Sequence, residues 1–424
     1  MSYKAIRVQL EPNNWQRTRL FQYAGTARFA YNWALSKEIE SLKEKQLFIS
    51  DGELRREFTQ LKKQKGYEWL NEVSNDVPKQ AIKDLVKAYM KYFKARKKPN
   101  YKPYTKKQIE HAERIGKTLT EYDKQGHPKY KSKKREDSYG FYNDSLKLSF
   151  TESTVRVSAL LKKGSKTRQN IKSSIKLAEK NRIPVDSKYV NPRITYDGLN
   201  WYISVAIEIE DNENRKKYEP KTEGIGCDVG IKSQAILNDG EIYNNINKTK
   251  QVKKLEKKKR RLQRSISRKY LKNKKGESYQ KTCNIKKAEK KLLRLNHRLT
   301  NIRHSYRDKI VEEMINRKPR FICIEDLNVS GMMKNRHLAK AILNQGLREF
   351  RQLVEHKTAK HNIPLIVADR WFPSSKICNE CGCIKRDLKL KDREYKCECG
   401  YREDRDINAA KNLRDYGERE IVSA

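Results

Sequence analysis

The sequence predicts a multidomain α/β fold: an N-terminal lobe of helices with a small antiparallel barrel or sheet, then an RNase H-like domain with a zinc-ribbon insertion. Three features of the chain predict it. Candidate strands near 224–230, 233–238 and 241–245, the last two joined by Asp239-Gly240, form an antiparallel meander; long basic helices, a strand at 320–325, a helix near 345–361 and a strand at 364–368 follow. Acidic residues stand where such a topology would bring them together: Asp228 in Gly224-Ile-Gly-Cys-Asp-Val-Gly230, Glu325 in Phe321-Ile-Cys-Ile-Glu-Asp-Leu327 and Asp406 in Asp404-Arg-Asp-Ile-Asn-Ala-Ala410. Five of the eight cysteines fall within residues 378–399, between the second and third acids.

Taken in order, Tyr3–Leu10 alternates small or apolar with polar residues and reads as a strand ending before Pro12. From Trp15 to Lys45, Leu20, Phe21, Ala24, Ala27, Tyr31, Ala34 and Leu35 recur at steps of three and four, which predicts a helix in which Gly25 permits close packing. The same period returns after Pro78 in Ile82, Leu85, Val86, Tyr89, Met90 and Phe93. Lys97–Asp137 is rich in Lys, Tyr, Gly and Pro with weak periodicity, and reads as irregular or partly helical. Thr154–Ser158 and Trp201–Ile209 alternate as strands of a small antiparallel barrel or sheet that the first strand can complete. The expected domains are a barrel from 1–12 and 128–220, a helical unit from 13–127, a nuclease-type domain from 221–375 containing a helical hairpin at 248–316, a metal ribbon at 376–400 and a final nuclease segment at 401–424, with Asp211–Thr222 as a polar linker.

Charge narrows the partners. Lys and Arg number 97 against 53 acids, a formal net charge of +44, which repels itself unless a polyanion neutralises it. The charge is spread along the chain rather than set beside an apolar helix, which disfavours a membrane surface. With no apolar run near the roughly 18 residues needed to span a bilayer, and no apolar stretch at Met1–Arg7, the expectation is a cytoplasmic, nucleoid-associated protein. Lys248–Arg298 holds 22 Lys or Arg and three acids, yet Ile285, Ala288, Leu292, Leu295, Leu299, Ile302 and Tyr306 keep a strict three-four spacing. One face is therefore a packed seam. Val252, Leu255, Leu262 and Ile266 supply its partner half, and the basic residues point outward as a guide for a phosphate backbone.

Two carboxylates about 4 Å apart repel by roughly 4 kcal/mol at an effective dielectric near 20, so an acidic cluster needs a cation. Two Mg²⁺ ions suit hard oxygen ligands, and predict in-line phosphodiester hydrolysis with Asp228, Glu325 and Asp406 as catalytic ligands. Of Asp404 and Asp406, the first sits where a helix N-cap is wanted, which favours Asp406 as the ligand; Arg405 between them is a candidate for holding the scissile phosphate or an exposed residue without a role. Cys378-x-x-Cys381 and Cys397-x-Cys399 predict one structural zinc, although the second pair is a residue shorter than a usual knuckle and Cys383 offers a competing thiolate. Cys227, Cys283 and Cys323 read as ordinary residues.

Ala27-Arg-Phe-Ala-Tyr-Asn-Trp-Ala-Leu35, Gly226-Cys-Asp-Val-Gly-Ile231, Ile324-Glu-Asp-Leu327, Met333-Lys-Asn-Arg336, Phe372-Pro-Ser-Ser-Lys376, the cysteines and Asp404-Arg-Asp-Ile-Asn-Ala-Ala-Lys-Asn412 occur in this order, and the chain resembles the TnpB family of RNA-guided nucleases of bacterial insertion sequences. The resemblance implies a wedge-like barrel and helical recognition lobe, and a RuvC-like nuclease lobe interrupted by a zinc ribbon. It also implies a guide RNA, a double-stranded DNA target carrying a short flanking motif, and RuvC carboxylates at Asp228, Glu325 and Asp406. A monomer is expected. Competing functions are a compact type V CRISPR effector, a guided DNA-binding repressor without cleavage, and a strand-transfer transposase. Retention of all three acids argues against the repressor, and the ribbon before the last acid argues against the transposase.

Overall fold

The computed structural model describes residues 2–44, 46–132, 138–140, 148–157, 174–185, 187–209, 218–276, 278–389 and 392–423. The chain divides into two compact units, Met1–Glu213 and Asn214–Ala424.

In the first unit β1 (Ser2–Glu11) leads into α1 (Asn14–Glu44), α2 (Asp51–Leu61), α3 (Asp76–Arg96) and α4 (Lys106–Arg114); β2 (Ser138–Gly140), β3 (Leu148–Phe150), β4 (Thr154–Val157), β5 (Ser174–Leu177), β6 (Tyr189–Tyr196) and β7 (Trp201–Ile209) follow. Ser158 and the Asp211–Lys217 part of the expected linker lie outside the described residues. The strands form one antiparallel sheet in the order β2-β6-β7-β1-β5-β4-β3, and among the described residues no pairing joins β2 to β3. The first strand is thus central: Ile6, Val8 and Leu10 alternate into the core while β7 and β5 flank it.

Helix α1 buries Leu20, Tyr23, Ala24, Ala27, Ala30, Tyr31, Ala34 and Leu35, the stripe that its spacing predicts. Phe21 departs from it. It is 39% exposed, with its ring set edge-on against Tyr196 and Trp201 at 5.0 Å. Met90 likewise points outward from α3. Gly25 is no close-packing position, since a Cβ there would meet only the Arg28 guanidinium at 3.9 Å. Helix α2 was missed by apolar periodicity because only Leu54 and Phe58 are buried; its legible signal is the capping box, in which Ser50 and Glu53 satisfy each other's backbone N–H groups.

The second unit contains β8 (Ile225–Asp228), β9 (Ser233–Leu237), β10 (Ile242–Asn244), α5 (Lys250–Lys272), the short β11 (Lys274–Lys275) and β12 (Ser278–Tyr279), α6 (Cys283–Asn316), β13 (Ile322–Glu325), α7 (Val329–Met332), α8 (Ala339–Gln345), α9 (Leu347–His361), β14 (Leu365–Ala368), β15 (Glu394–Lys396), β16 (Arg402–Asp404) and α10 (Arg405–Val422). Its main sheet runs β10-β9-β8-β13-β14. Neighbours β10, β9 and β8 are antiparallel, whereas β13 is parallel to both β8 and β14.

Successive side chains of a strand face opposite ways, so each strand serves two cores. Ile322 and Ile324 of β13 and Ile225 and Cys227 of β8 pack with Ile310, Val311, Met314, Phe350 and Val354 of α6 and α9. Phe321 and Cys323 pack instead with Leu413, and with partly buried Tyr416 and Ile421, of α10. In α5 and α6 the seam is real: Val252, Ile266, Ile285, Ala288, Leu295 and Leu299 are buried. Arg303 crosses it, donating to Glu256 at 2.8 Å and to Asn247 at 2.8 Å.

Candidate active site and cysteine metal centre

Asp228 closes β8 and Glu325 closes β13, and the register between them pairs Ile322 with Ile225, Cys323 with Gly226 and Ile324 with Cys227. One further step sets Glu325 beside Asp228 at the carboxyl ends of two parallel strands. Parity directs both toward the α10 face, because Glu325 shares its side of the strand with Phe321 and Cys323.

Helix α10 reaches that face because β8 has no side chain in its way. A Cβ on Gly226 would lie 2.0 Å from the Ala410 carbonyl oxygen and 2.4 Å from the Arg414 nitrogen, both backbone atoms. At Gly417 a Cβ would meet Phe321 at 2.3 Å and the Cys323 Cβ at 3.1 Å. These two glycines let helix and sheet touch, which brings Asp406 in the first turn of α10 to the two strand ends.

The electrostatics record this convergence. Asp228 keeps some access to solvent, yet its carboxyl is pushed well above the usual carboxylate range, first by burial and then by Glu325 and Asp406, with Arg405 opposing. Glu325 is raised by burial and by Asp406, while the Ser374 hydroxyl, which donates to Glu325 Oε1, pulls it down. Asp406 is held by two guanidinium groups: Arg405 donates to its Oδ1 at 2.9 Å, and Arg393 lies 3.6 Å from its Oδ2. Arg405 is therefore not exposed; its side chain is only 12% exposed.

Neighbouring acids have other partners. Asp404 is the N-cap of α10, its Oδ1 accepting from the backbone N–H of Asp406 at 2.8 Å and of Ile407 at 3.4 Å. Asp326 points away into an ion pair with Arg351 and Arg370 that holds its carboxyl below the usual range. Beside Glu325 opens a cavity of about 340 Å³, whose polar wall includes Asn328, Arg348, Arg351 and Arg370.

Ser374, Arg393, Asn408 and Asn412 were not singled out as site residues from the sequence. Asn408 and Asn412 are buried in α10. Asn412 donates to the carbonyl oxygens of Ser374 at 2.7 Å and Ile377 at 2.8 Å, and Asn408 donates to Ile377 at 2.8 Å. Two sequence motifs quoted separately are thus one structure: the last helix holds the loop that carries Ser374 onto Glu325.

The sulfur atoms of Cys378, Cys381, Cys397 and Cys399 all lie within 4.8 Å of one another, with Cys378–Cys399 at 3.7 Å and Cys381–Cys397 at 3.5 Å. A tetrahedral zinc with Zn–S bonds of about 2.3 Å separates its sulfurs by about 3.8 Å, so this set of four can bind zinc. Each pair sits on a tight turn. Gly382, at φ +75°, donates to the Cys378 carbonyl at 2.9 Å; Gly400, at φ +96°, donates to the Cys397 carbonyl at 3.1 Å. The shorter second pair closes through a turn one residue tighter, with Cys397 N–H returning to Tyr401 at 2.9 Å. Cys383 is exposed, lies outside the group of four mutually close sulfurs, and supplies its carbonyl oxygen to Cys378 N–H at 2.9 Å. The fully buried Tyr395 provides what core the ribbon has, donating to the Lys376 carbonyl at 3.0 Å. Cys227 and Cys323 are buried in strands and burial pushes both thiols up, Cys323 to about 12; Cys283 is exposed.

Three family models match the chain: a helix-turn-helix domain of the OrfB/IS605 group over residues 1–46, a probable transposase of the same group over 204–336, and a Cas12f1-like TNB domain over 348–413. The first segment is here a strand and one continuous helix. A Streptomyces pristinaespiralis protein named "Putative RNA-guided DNA endonuclease" is 28% identical over 415 residues, covering 98% of this chain and 89% of that protein. The chain is similar to that protein along nearly its whole length. Among other relatives of this chain, Escherichia coli K12 "Putative RNA-guided DNA endonuclease InsQ" is 24% identical over 98% of the chain and 92% of its own length. A mimivirus "TnpB-like protein L79" is 31% identical over 142 residues, 31% of this chain and 26% of the viral one. A Cas12f1-sgRNA-target DNA complex aligns over 98% of this chain and 99% of its own at 13% identity, with a TM-score of 0.33. Among the described residues, no helix is long and apolar enough to cross a membrane.

Proposed function

We propose that this chain is an RNA-guided DNA endonuclease whose second unit is an RNase H-like, RuvC-type nuclease domain. Its first unit would combine a wedge-like β-barrel with a helical recognition domain. The observation that carries the nuclease reading is the convergence of Asp228, Glu325 and Asp406, from two parallel strand ends and one helix start, in mutual electrostatic contact. The strand order β10-β9-β8-β13-β14, antiparallel on one side of β8 and parallel on the other, supports it. Relatives along nearly the whole chain bear the matching name, which supports guide RNA and double-stranded DNA as the partners.

The donor set suits divalent metal. Two half-buried carboxyls, Asp228 raised by Glu325 and both raised by Asp406, form a site whose charge a hard cation relieves, and Asp228, Glu325 and Asp406 would hold Mg²⁺. Mg²⁺ supplies an activated water and charge stabilisation for in-line phosphodiester hydrolysis. The chain's own residues prepare for this. Ser374 fixes the rotamer of Glu325 through its hydrogen bond, Asp404 fixes the first turn of α10, and Arg405 and Arg393 orient the Asp406 carboxylate. Arg348, Arg351 and Arg370 line the adjoining cavity, where a DNA phosphate would be bound. One zinc on the four cysteines would shape the ribbon between the second and third acids. The hairpin α5–α6 exposes most of its lysines and arginines for the guide or target backbone.

The test is to purify the protein from its host locus, sequence its bound RNA, and challenge the particle with a target library of randomised flanks. Cleavage of guide-matched DNA beside one short motif, dependent on RNA and Mg²⁺, is expected; specific cleavage by RNA-free protein would overturn the guided reading.

A further inference from the structure

The loop that follows β14 carries the most exposed large aromatic side chain among the described residues, Trp371, at 84% exposure. Everything around it is fastened. Arg370 is ion-paired to Asp326, the residue after Glu325. Phe372 turns inward, its ring 4.7 Å from that of Tyr416 on α10. The Asp369 carboxylate accepts the Trp371 backbone N–H at 2.8 Å, and the Asp369 carbonyl accepts that of Phe372 at 3.0 Å. Three residues beyond Trp371, Ser374 donates to Glu325. Since Ala368 is the registered neighbour of Glu325, the turn is tied to the same strand end on both sides of the indole.

Presenting an indole to water is unfavourable, by roughly 25 cal/mol per Å² of apolar surface left unburied. A floppy loop would fold it away, but this one is held open by an ion pair, a capped turn and an inward-facing phenylalanine. An aromatic face beside a cationic guanidinium is the composition of a single-stranded nucleic acid platform, in which the base stacks on the ring and the phosphate meets the cation. Arg370 keeps 46% of its side chain exposed while anchored to Asp326, so it retains donors for a phosphate.

We propose that Trp371 is a stacking platform for an unpaired DNA base next to the scissile phosphate, with Arg370 contacting the adjoining phosphate. The inference rests on the nuclease reading above and deepens it: a duplex offers no free base face, so the platform selects strands already opened by guide pairing. Trp371 is here a positioning residue for the strand entering the carboxylate site.

The test uses the full-length protein with its guide RNA, as wild type, Trp371→Phe and Trp371→Leu, titrated with a short single strand carrying 2-aminopurine. Wild type and the Phe variant should quench the probe and bind it with similar affinity, whereas the Leu variant, apolar but without a π face, should bind roughly 5- to 150-fold more weakly. An abasic site at the stacked position should lower wild-type affinity to that of the Leu variant and leave the Leu variant unchanged. Equal affinity of wild type and Trp371→Leu would overturn the proposal, as would a Phe variant as weak as Leu. Unchanged DNA affinity with an altered oligomeric state in Trp371→Leu would mark the indole as a protein contact, and also overturn it. A wild type that shows the predicted quenching and abasic effect yet never cleaves guide-matched DNA would sustain the platform and fail the nuclease reading alone.

Discussion

Replacing Asp228 with Asn should stabilise the second unit in the absence of divalent cations while destroying its response to Mg²⁺. Adjacent strands lie about 4.8 Å apart, so carboxylates on Asp228 and Glu325 repel by about 3 kcal/mol at an effective dielectric near 20. The same ceiling follows from titration. A buried carboxyl at pH 7 can escape ionisation by taking up a proton, which limits its cost to about 4 kcal/mol from an unfolded value near 3.9. Because the folded Asp228 and Glu325 are raised, the native state binds protons more tightly than the unfolded chain; their favourable contribution is complete below the unfolded value and is lost as pH rises through the folded one. Asp228→Asn removes that loss. For a unit the size of Asn214–Ala424, about 3 kcal/mol corresponds to a melting temperature higher by about 6–12 °C at pH 8, and the gain should fade toward pH 4. Calorimetry with and without Mg²⁺ checks it: added Mg²⁺ should raise wild type and leave the Asn variant nearly unmoved. A variant within about 1 °C of wild type at pH 8 without metal would refute the mutual repulsion of the carboxylates.

Other perturbations separate neighbouring roles. Asp406→Ala should abolish guided cleavage while sparing guided binding, whereas Asp404→Ala should cost about 1 kcal/mol of stability and retain cleavage, as a lost N-cap does; a cleavage assay with the reverse outcome would exchange the two assignments. Gly226→Ala should force α10 off β8, lowering stability by about 1–3 kcal/mol and cleavage with it, while Gly230→Ala, whose Cβ would meet only the Ser233 carbonyl at 3.6 Å, serves as the tolerated control in thermal and cleavage assays. Metal analysis should find about one zinc per chain, retained in Cys383→Ser and lost in Cys397→Ser; four free ribbon thiols in the purified protein would contradict this.

Local rules made much of this molecule legible. The three-four spacing of α1 and of the α5–α6 seam, the alternation of β1 and β7, and the paired cysteines each express a chemistry that operates over a few residues. The N-cap role of Asp404 was equally local, since capping depends on the first turn of one helix. Phe21, Met90 and Gly25 show where periodicity stops: a residue at stripe spacing can be wet, and a helical glycine can pack against no more than a side-chain tip. Whether it does depends on the neighbouring element, which spacing along one helix does not encode.

By itself the sequence determined which residue types were available at strand ends and helix starts, because propensity, capping and metal-ligand spacing act along the chain. Only the tertiary structure decided which of them meet. Gly226 touching the Ala410 carbonyl path, Ser374 donating to Glu325, Asn412 holding the Ser374 loop and Arg393 facing Asp406 join segments from 13 to 184 residues apart. Such contacts depend on how closely two backbones approach and which side chain fills the remaining space, and that is settled by packing between elements after each has formed.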